Sequence, residues 1–100
     1  MYTYSIKYKY RLHTVKYGET FRTIAEKYDT SAGHIRKLNA LKAPLSAGDM
    51  LYIGDLDRRA YTARPLDTLE SIAKKFGVTS MSLRLLNDIN EVYIGQRILI

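Results

Sequence analysis

Two pairs of carboxylates, Asp55 with Asp57 and Asp67 with Glu70, come nearest in type and spacing to a catalytic arrangement in this 100-residue chain. Hydrolysis of a glycosidic bond needs one carboxylic acid kept protonated in an apolar cleft beside a second that stays ionised. Neither pair is offered such a cleft: the first falls in the hydrophilic run "GDLDRR" and the second at the start of a helical pattern. There is no cysteine to act as a nucleophile, and the two histidines, His13 and His34, stand apart from any cluster with metal-ligand spacing. No glycine-rich loop is placed to cradle phosphate. The chemistry this sequence supports is recognition without catalysis, with no cofactor and no metal.

Net charge is +6, and it is lopsided: residues 1–50 carry nine Lys and Arg against four Asp and Glu, residues 51–100 seven against six. Cationic grooves with stacking rings mark single-stranded nucleic-acid binders, and nine tyrosines would serve that role. A solvated basic surface explains the same charge, so nucleic acid is not the expected partner. No stretch approaches the roughly 20 apolar residues of a membrane span, so no membrane insertion is expected. The opening "MYTYSIKYKYR" has no apolar middle of the signal-peptide kind.

The elements that could position a binding site come in duplicate. "ETFRTIAEKY", residues 19–28, returns as "DTLESIAKKF", residues 67–76, at an offset of 48 that also carries Arg36 onto Arg84, Leu38 onto Leu86 and Asn39 onto Asn87. The offset then slips to 47, matching Leu45, Gly48, Leu51 and Ile53 to Val92, Gly95, Ile98 and Ile100. Self-similarity at one period signals a repeated structural unit. Phe21, Ile24, Ala25 and Tyr28, like Leu69, Ile72, Ala73 and Phe76, fall at i, i+3, i+4 and i+7 and predict an apolar helical face. Asp67 or Thr68 can cap the second of these helices, and Ser31 and Thr79 are natural caps for a following helix in each copy, with Ile35, Leu38, Leu83 and Leu86 inward and His34 on an exposed face. Asn39 and Asn87 satisfy backbone groups at the helix ends. The strands "LHTV" and "AYTAR" open the copies; "DMLYI" and "QRILI", each after a turn glycine, close them with Leu51, Ile53, Ile98 and Ile100 on one face.

This ordered set, H-T-V or Y-x-A, then G-E-T-F or D-T-L, I-A, a ring, L-N and G-D or G-Q before a closing L-x-I or I-x-I, resembles the LysM domain. The resemblance covers residues 12–54 and 60–100, joined by the linker 55–59. It implies an α+β chain of two βααβ modules, each a two-stranded antiparallel sheet covered by two helices. LysM modules typically bind N-acetylglucosamine-containing glycans such as peptidoglycan and chitin, in a groove between the loop after the first strand and the loop before the last. That implies a first groove of Gly18, Glu19, Thr20, Phe21 and Arg22 opposite Ala40, Leu41, Lys42, Ala43, Pro44 and Leu45. The second groove would be Leu66, Asp67, Thr68, Leu69 and Glu70 opposite Asp88, Ile89, Asn90, Glu91 and Val92. Arg22 and Lys42 would flank the first, facing anionic groups of a cell wall. Gly18 allows a positive φ whereas Leu66 follows the ring-locked Pro65, so the second loop is expected to differ in shape and the first to carry most of the binding. The implied location is a cell wall, spore surface or extracellular space.

Two features lie outside the repeat. The linker is too short to hold the copies far apart, so they are expected to pack on one another. Residues 1–11 alternate Tyr2, Tyr4, Ile6, Tyr8 and Tyr10 with Lys7, Lys9 and Arg11, a strand pattern with an aromatic face. The core positions His13 and Val15 are odd-numbered, so the phase is expected to change near Leu12 through a bulge or break. Such an arm invites pairing with another chain. It motivates a second function, an assembly module similar to LysM parts of spore coats and phage tails that docks proteins and self-associates through the tyrosine arm.

Overall fold

A computed structural model describes residues 10–40, 44–54 and 58–100. The first copy runs β1 (Arg11–Thr14), α1 (Phe21–Tyr28), α2 (Ala32–Asn39) and β2 (Met50–Ile53); the second repeats the order as β3 (Ala60–Thr62), α3 (Leu69–Phe76), α4 (Ser80–Asn87) and β4 (Arg97–Leu99). β1 pairs antiparallel with β2, and β3 with β4, in separate two-stranded sheets. Each copy is thus the expected βααβ unit.

Helices of eight residues are marginal alone, so their ends and inner faces must hold them. Thr20 and Thr68 cap α1 and α3, each accepting from the amide three residues on while the side chain of Thr23 or Ser71 accepts from the cap's own amide. Ser31 and Thr79 cap α2 and α4 as their sequence positions predict. Ile24, Ala25 and Ile35 join Val15, Leu51 and Ile53 in one core; Leu69, Ile72, Ala73, Leu83 and Ile98 form the other. Leu38 and Leu86 are only half-buried and Phe76 is exposed, because two helices over two strands enclose too little to bury every apolar position.

Asn39 and Asn87 do more than end a helix. Asn39 donates through Nδ2 to the carbonyls of Ile35 and Tyr52 and accepts the Tyr52 amide at 2.7 Å. Asn87 does the same with Leu83 and Leu99. Each asparagine therefore staples the second helix of its copy to the closing strand.

Alternation passes through β1 without a bulge. Its register is continuous from Arg11 opposite Ile53 to Thr14 opposite Met50, with His13 and Val15 inside and Tyr10 and Leu12 on the open outer face. Within the described residues the expected change of phase near Leu12 does not occur: no other element covers that face among them, and Tyr10 and Leu12 stay about half exposed on it. The tyrosine arm before Tyr10 and the linker residues 55–57 lie outside the described residues.

The copies do pack together, through the N-terminal end of α2 and the C-terminal end of α4. A helix leaves its last carbonyls without intrahelical partners. Here α2 supplies them: His34 Nδ1 donates to the Leu86 carbonyl at 2.8 Å, and Lys37 Nζ donates to that of Leu85. Ser31 Oγ donates to Asn87 Oδ1 at 2.6 Å, and Arg97 reaches back to Asp29 Oδ1 at 2.6 Å and to the Thr30 carbonyl at 3.1 Å. Gly33 lets the backbones approach, for a Cβ there would stand 1.8 Å from the Asn87 carbonyl oxygen. His34 is consequently buried rather than on an exposed face: its cover comes from the other copy, which its own helical period cannot reveal.

Candidate functional site

The loop between β1 and α1 is a four-residue turn, Lys16 to Glu19. The Glu19 amide donates to the Lys16 carbonyl at 3.1 Å, and the Glu19 carboxylate accepts the Lys16 amide at 2.7 Å, closing the turn from both sides. Gly18 sits at φ +88°, the left-handed third position of a type II turn. The second copy repeats this with Arg64 and Asp67, at 3.1 Å through the backbone and 2.8 Å through the carboxylate. Leu66 occupies the glycine position at φ +72°. The expected difference in shape is therefore corrected: Pro65 fixes the φ suited to the second position, the carboxylate closes the turn, and Leu66 is driven into a region that β-carbons disfavour.

Behind each turn stands a ring. His13 Nε2 is 2.8 Å from Glu19 Oε1, and its Nδ1 is 2.8 Å from the Tyr28 hydroxyl. With Glu19 ionised, Nε2–H donates to the carboxylate and Nδ1 accepts from Tyr28. In the second copy the Tyr61 hydroxyl donates to Asp67 Oδ2 at 2.6 Å, and Phe76 replaces Tyr28, there being no ring nitrogen to receive a hydroxyl. Both ring pairs meet edge-on, with centroids 5.4 and 5.2 Å apart. The Lys16 amide, then His13, hold the Glu19 carboxyl below its ordinary range; the Tyr61 hydroxyl, then the Arg64 amide, do so for Asp67. Donating to Asp67 pushes the Tyr61 hydroxyl up.

A second turn lies alongside. Ser46 to Asp49 and Tyr93 to Gln96 are closed by the same device, a side-chain oxygen of the last residue accepting the first residue's amide at 2.9 and 2.8 Å. Val15 and Ala63 pair with these turns through backbone hydrogen bonds of 2.8 Å on both sides, to Gly48 and Asp49 and to Gly95 and Gln96. Each copy thus holds two rigid turns side by side at one end of its sheet. Apolar residues of both loops rest on a common core: Phe21 and Leu45 in the first copy, Leu69, Ile89 and Val92 in the second.

Among the sequence-derived site residues, Gly18, Glu19, Thr20, Phe21 and Arg22 lie along the first turn and the start of α1, and Leu66 to Glu70 occupy the same place in the second copy. Glu19 and Asp67 are turned inward as struts. Thr20 and Thr68 are engaged as caps. Ala40 and Asp88 take left-handed conformations that end α2 and α4. Of the residues expected on the first rim, Pro44 and Leu45 lie among the described residues, Leu45 against the first core, whereas Leu41, Lys42 and Ala43 lie outside them. Asp88, Ile89, Asn90, Glu91 and Val92, expected to form the second rim, all lie among the described residues. Sequence reasoning did not single out Tyr17, Tyr93 and Ile94, which stand exposed at turn tips; a large residue just before a turn glycine is the signal that marks Tyr17 and Ile94. Among the described residues no group of His, Asp and Glu is placed to hold a metal, and no helix is long and apolar enough to cross a membrane.

Comparison with known proteins bears on this arrangement. Over 97 residues the chain is 33% identical to the N-acetylmuramoyl-L-alanine amidase sle1 of Staphylococcus epidermidis, which covers 86% of this chain and 30% of the amidase. It is 25% identical over 115 residues to the autolysin of Enterococcus faecalis, covering 88% of this chain and 15% of the autolysin. The crystal structure of the spore cortex-lytic enzyme SleL of Bacillus megaterium shares 30% identity across 89% of this chain and 22% of its own, with a TM-score of 0.44. The chain therefore spans less than a third of the length of these relatives. Residues 13–54 and 61–100 each match the LysM domain, and the chain belongs to the LysM family, as two copies in tandem.

Proposed function

We propose that this chain is a non-catalytic carbohydrate-binding protein that recognises N-acetylglucosamine-containing glycans of the peptidoglycan type at a cell wall. The binding units are residues 12–54 and 60–100, and the contacts come from the loops 18–22 and 40–45 in the first and 66–70 and 88–92 in the second. The observation that carries this reading is the identical construction of the first loop in both copies, a type II turn closed by an inward carboxylate and braced by a ring. A rigid backbone edge suits a neutral acetamido sugar, which offers one donor and one acceptor and needs no buried charge. That relatives of this chain include an N-acetylmuramoyl-L-alanine amidase and an autolysin supports peptidoglycan as the glycan. Leu66 adopts the backbone of Gly18, so the second copy is proposed to bind alongside the first.

Single contacts of this kind are weak, and two linked copies strengthen binding on a repeating polymer by roughly 100-fold where both can engage. Sedimentation with insoluble peptidoglycan, competed by soluble N-acetylglucosamine oligomers, tests the reading. Competition that improves with oligomer length supports it. Sedimentation that no oligomer relieves would instead favour protein docking.

A further inference from the structure

A cleft of about 330 Å³ opens between the copies, walled by α1 and α2 on one side and by the loop from α4 to β4 on the other. Its two walls differ in chemistry. The first copy contributes Arg22, Arg36 and one carboxylate, Glu26, so its charged groups are two cations against one anion. Arg22 has only a long ion pair with Glu26, 3.8 Å between exposed side chains, and Arg36 lies over the Phe21 ring at 5.4 Å with no carboxylate paired to it among the described residues. The second copy contributes Tyr93 and Ile94, 65% and 72% exposed, as the apolar part of its wall, beside Gln96 and Arg97. Arg97, held by Asp29 and the Thr30 carbonyl, fixes one wall against the other.

We propose that this cleft binds a short carboxylate-bearing arm of a cell-wall glycan whose sugars occupy the neighbouring groove. The inference rests on the glycan-binding reading above and adds the acidic substituent to it. Guanidinium groups match carboxylates in planar, charge-assisted geometry, a contact that a neutral sugar would leave unused. The volume sits at the low end for small-ligand sites, room for a few residues of a peptide arm but not for a polymer. Ile89, one of the residues proposed for the second rim, also lines the cleft, so a substituent on a sugar bound at that rim would lie beside the cleft. Tyr93 and Ile94 then cover the apolar part of the arm while its carboxylate meets Arg36.

Calorimetric titration of the full chain with three ligands tests this. They are a neutral N-acetylglucosamine tetramer, a peptidoglycan fragment of the same sugar number with free peptide carboxylates, and that fragment with its carboxylates amidated. The acidic fragment should bind about 10-fold tighter than the amidated one at low salt, the scale of one charge-assisted contact. Arg36→Gln should remove most of that ratio and Arg36→Lys keep part of it, both leaving affinity for the tetramer unchanged. Equal binding of the acidic and amidated fragments, or a ratio that survives Arg36→Gln, overturns the proposal while tetramer binding leaves the glycan reading standing. Failure of the tetramer to bind as well would overturn both.

Discussion

Ser31 and Asn87, 56 residues apart in sequence, share a buried hydrogen bond of 2.6 Å that joins the two copies. Each already has a task in its own copy. Ser31 caps α2 by accepting the His34 amide, and Asn87 staples α4 to β4. One hydroxyl and one amide thus link cap, staple and interface. Replacing Ser31 by Ala removes a cap and a buried partner together, and should cost about 1–3 kcal/mol in urea unfolding. Asn87→Ala should cost more than Asn39→Ala, since Asn87 Oδ1 accepts from Ser31 as well as from the strand amide.

Gly33→Ala separates helix propensity from interface packing. In an unobstructed helix the change should stabilise by about 1 kcal/mol. Here the new methyl meets the Asn87 carbonyl. A net loss of about 1–3 kcal/mol is expected, with faster and less correlated tumbling of the two copies in NMR relaxation. Unchanged stability and tumbling would show that α2 and α4 are not pressed together in solution.

Leu66 and Gly18 give a matched pair. Leu66 is 97% exposed at φ +72°, so Leu66→Gly relieves backbone strain without losing packing and should raise stability by about 1 kcal/mol. Gly18→Ala should lower it by a similar amount, although nothing lies within 4 Å of the added Cβ. Thermal midpoints of the two variants should move in opposite directions.

Acid and alkaline limits follow from the struts. Glu19 and Asp67 have folded pKa values below their unfolded ones, so the stability they contribute is present above the ordinary carboxylate range and is lost as pH falls through the depressed values. Urea midpoints should decline below about pH 4 and decline less in Glu19→Gln and Asp67→Asn. Tyr61 is displaced the other way: its contribution is present below its unfolded pKa and is lost as pH rises through the raised one. Tyr61→Phe should flatten the alkaline limb.

Much of this was legible in sequence because the determinants are local. A threonine before F-R-T-I-A, a serine or threonine before each second helix, and an asparagine at its end are read within one copy by short-range hydrogen-bonding rules. His34 was not legible, since the Leu86 carbonyl that buries it lies 52 residues away in the other copy. Nor was the conformation of Leu66: no local rule puts leucine at positive φ, and only the carboxylate closure and the preceding proline together impose it. The proposed binding loops were read from the family's pattern, whereas the cleft beside Arg36 exists only because the copies pack and has no signature in either one.

Two-dimensional NMR of labelled chain, titrated with N-acetylglucosamine oligomers and followed at the amides of residues 18–22 and 66–70, tests glycan binding most directly. The account predicts saturable shifts at both sets of loop amides, with little change at the outer face of the first sheet around Leu12 and Tyr52. Silence of both loops at millimolar oligomer, or shifts confined to that sheet face, would contradict it.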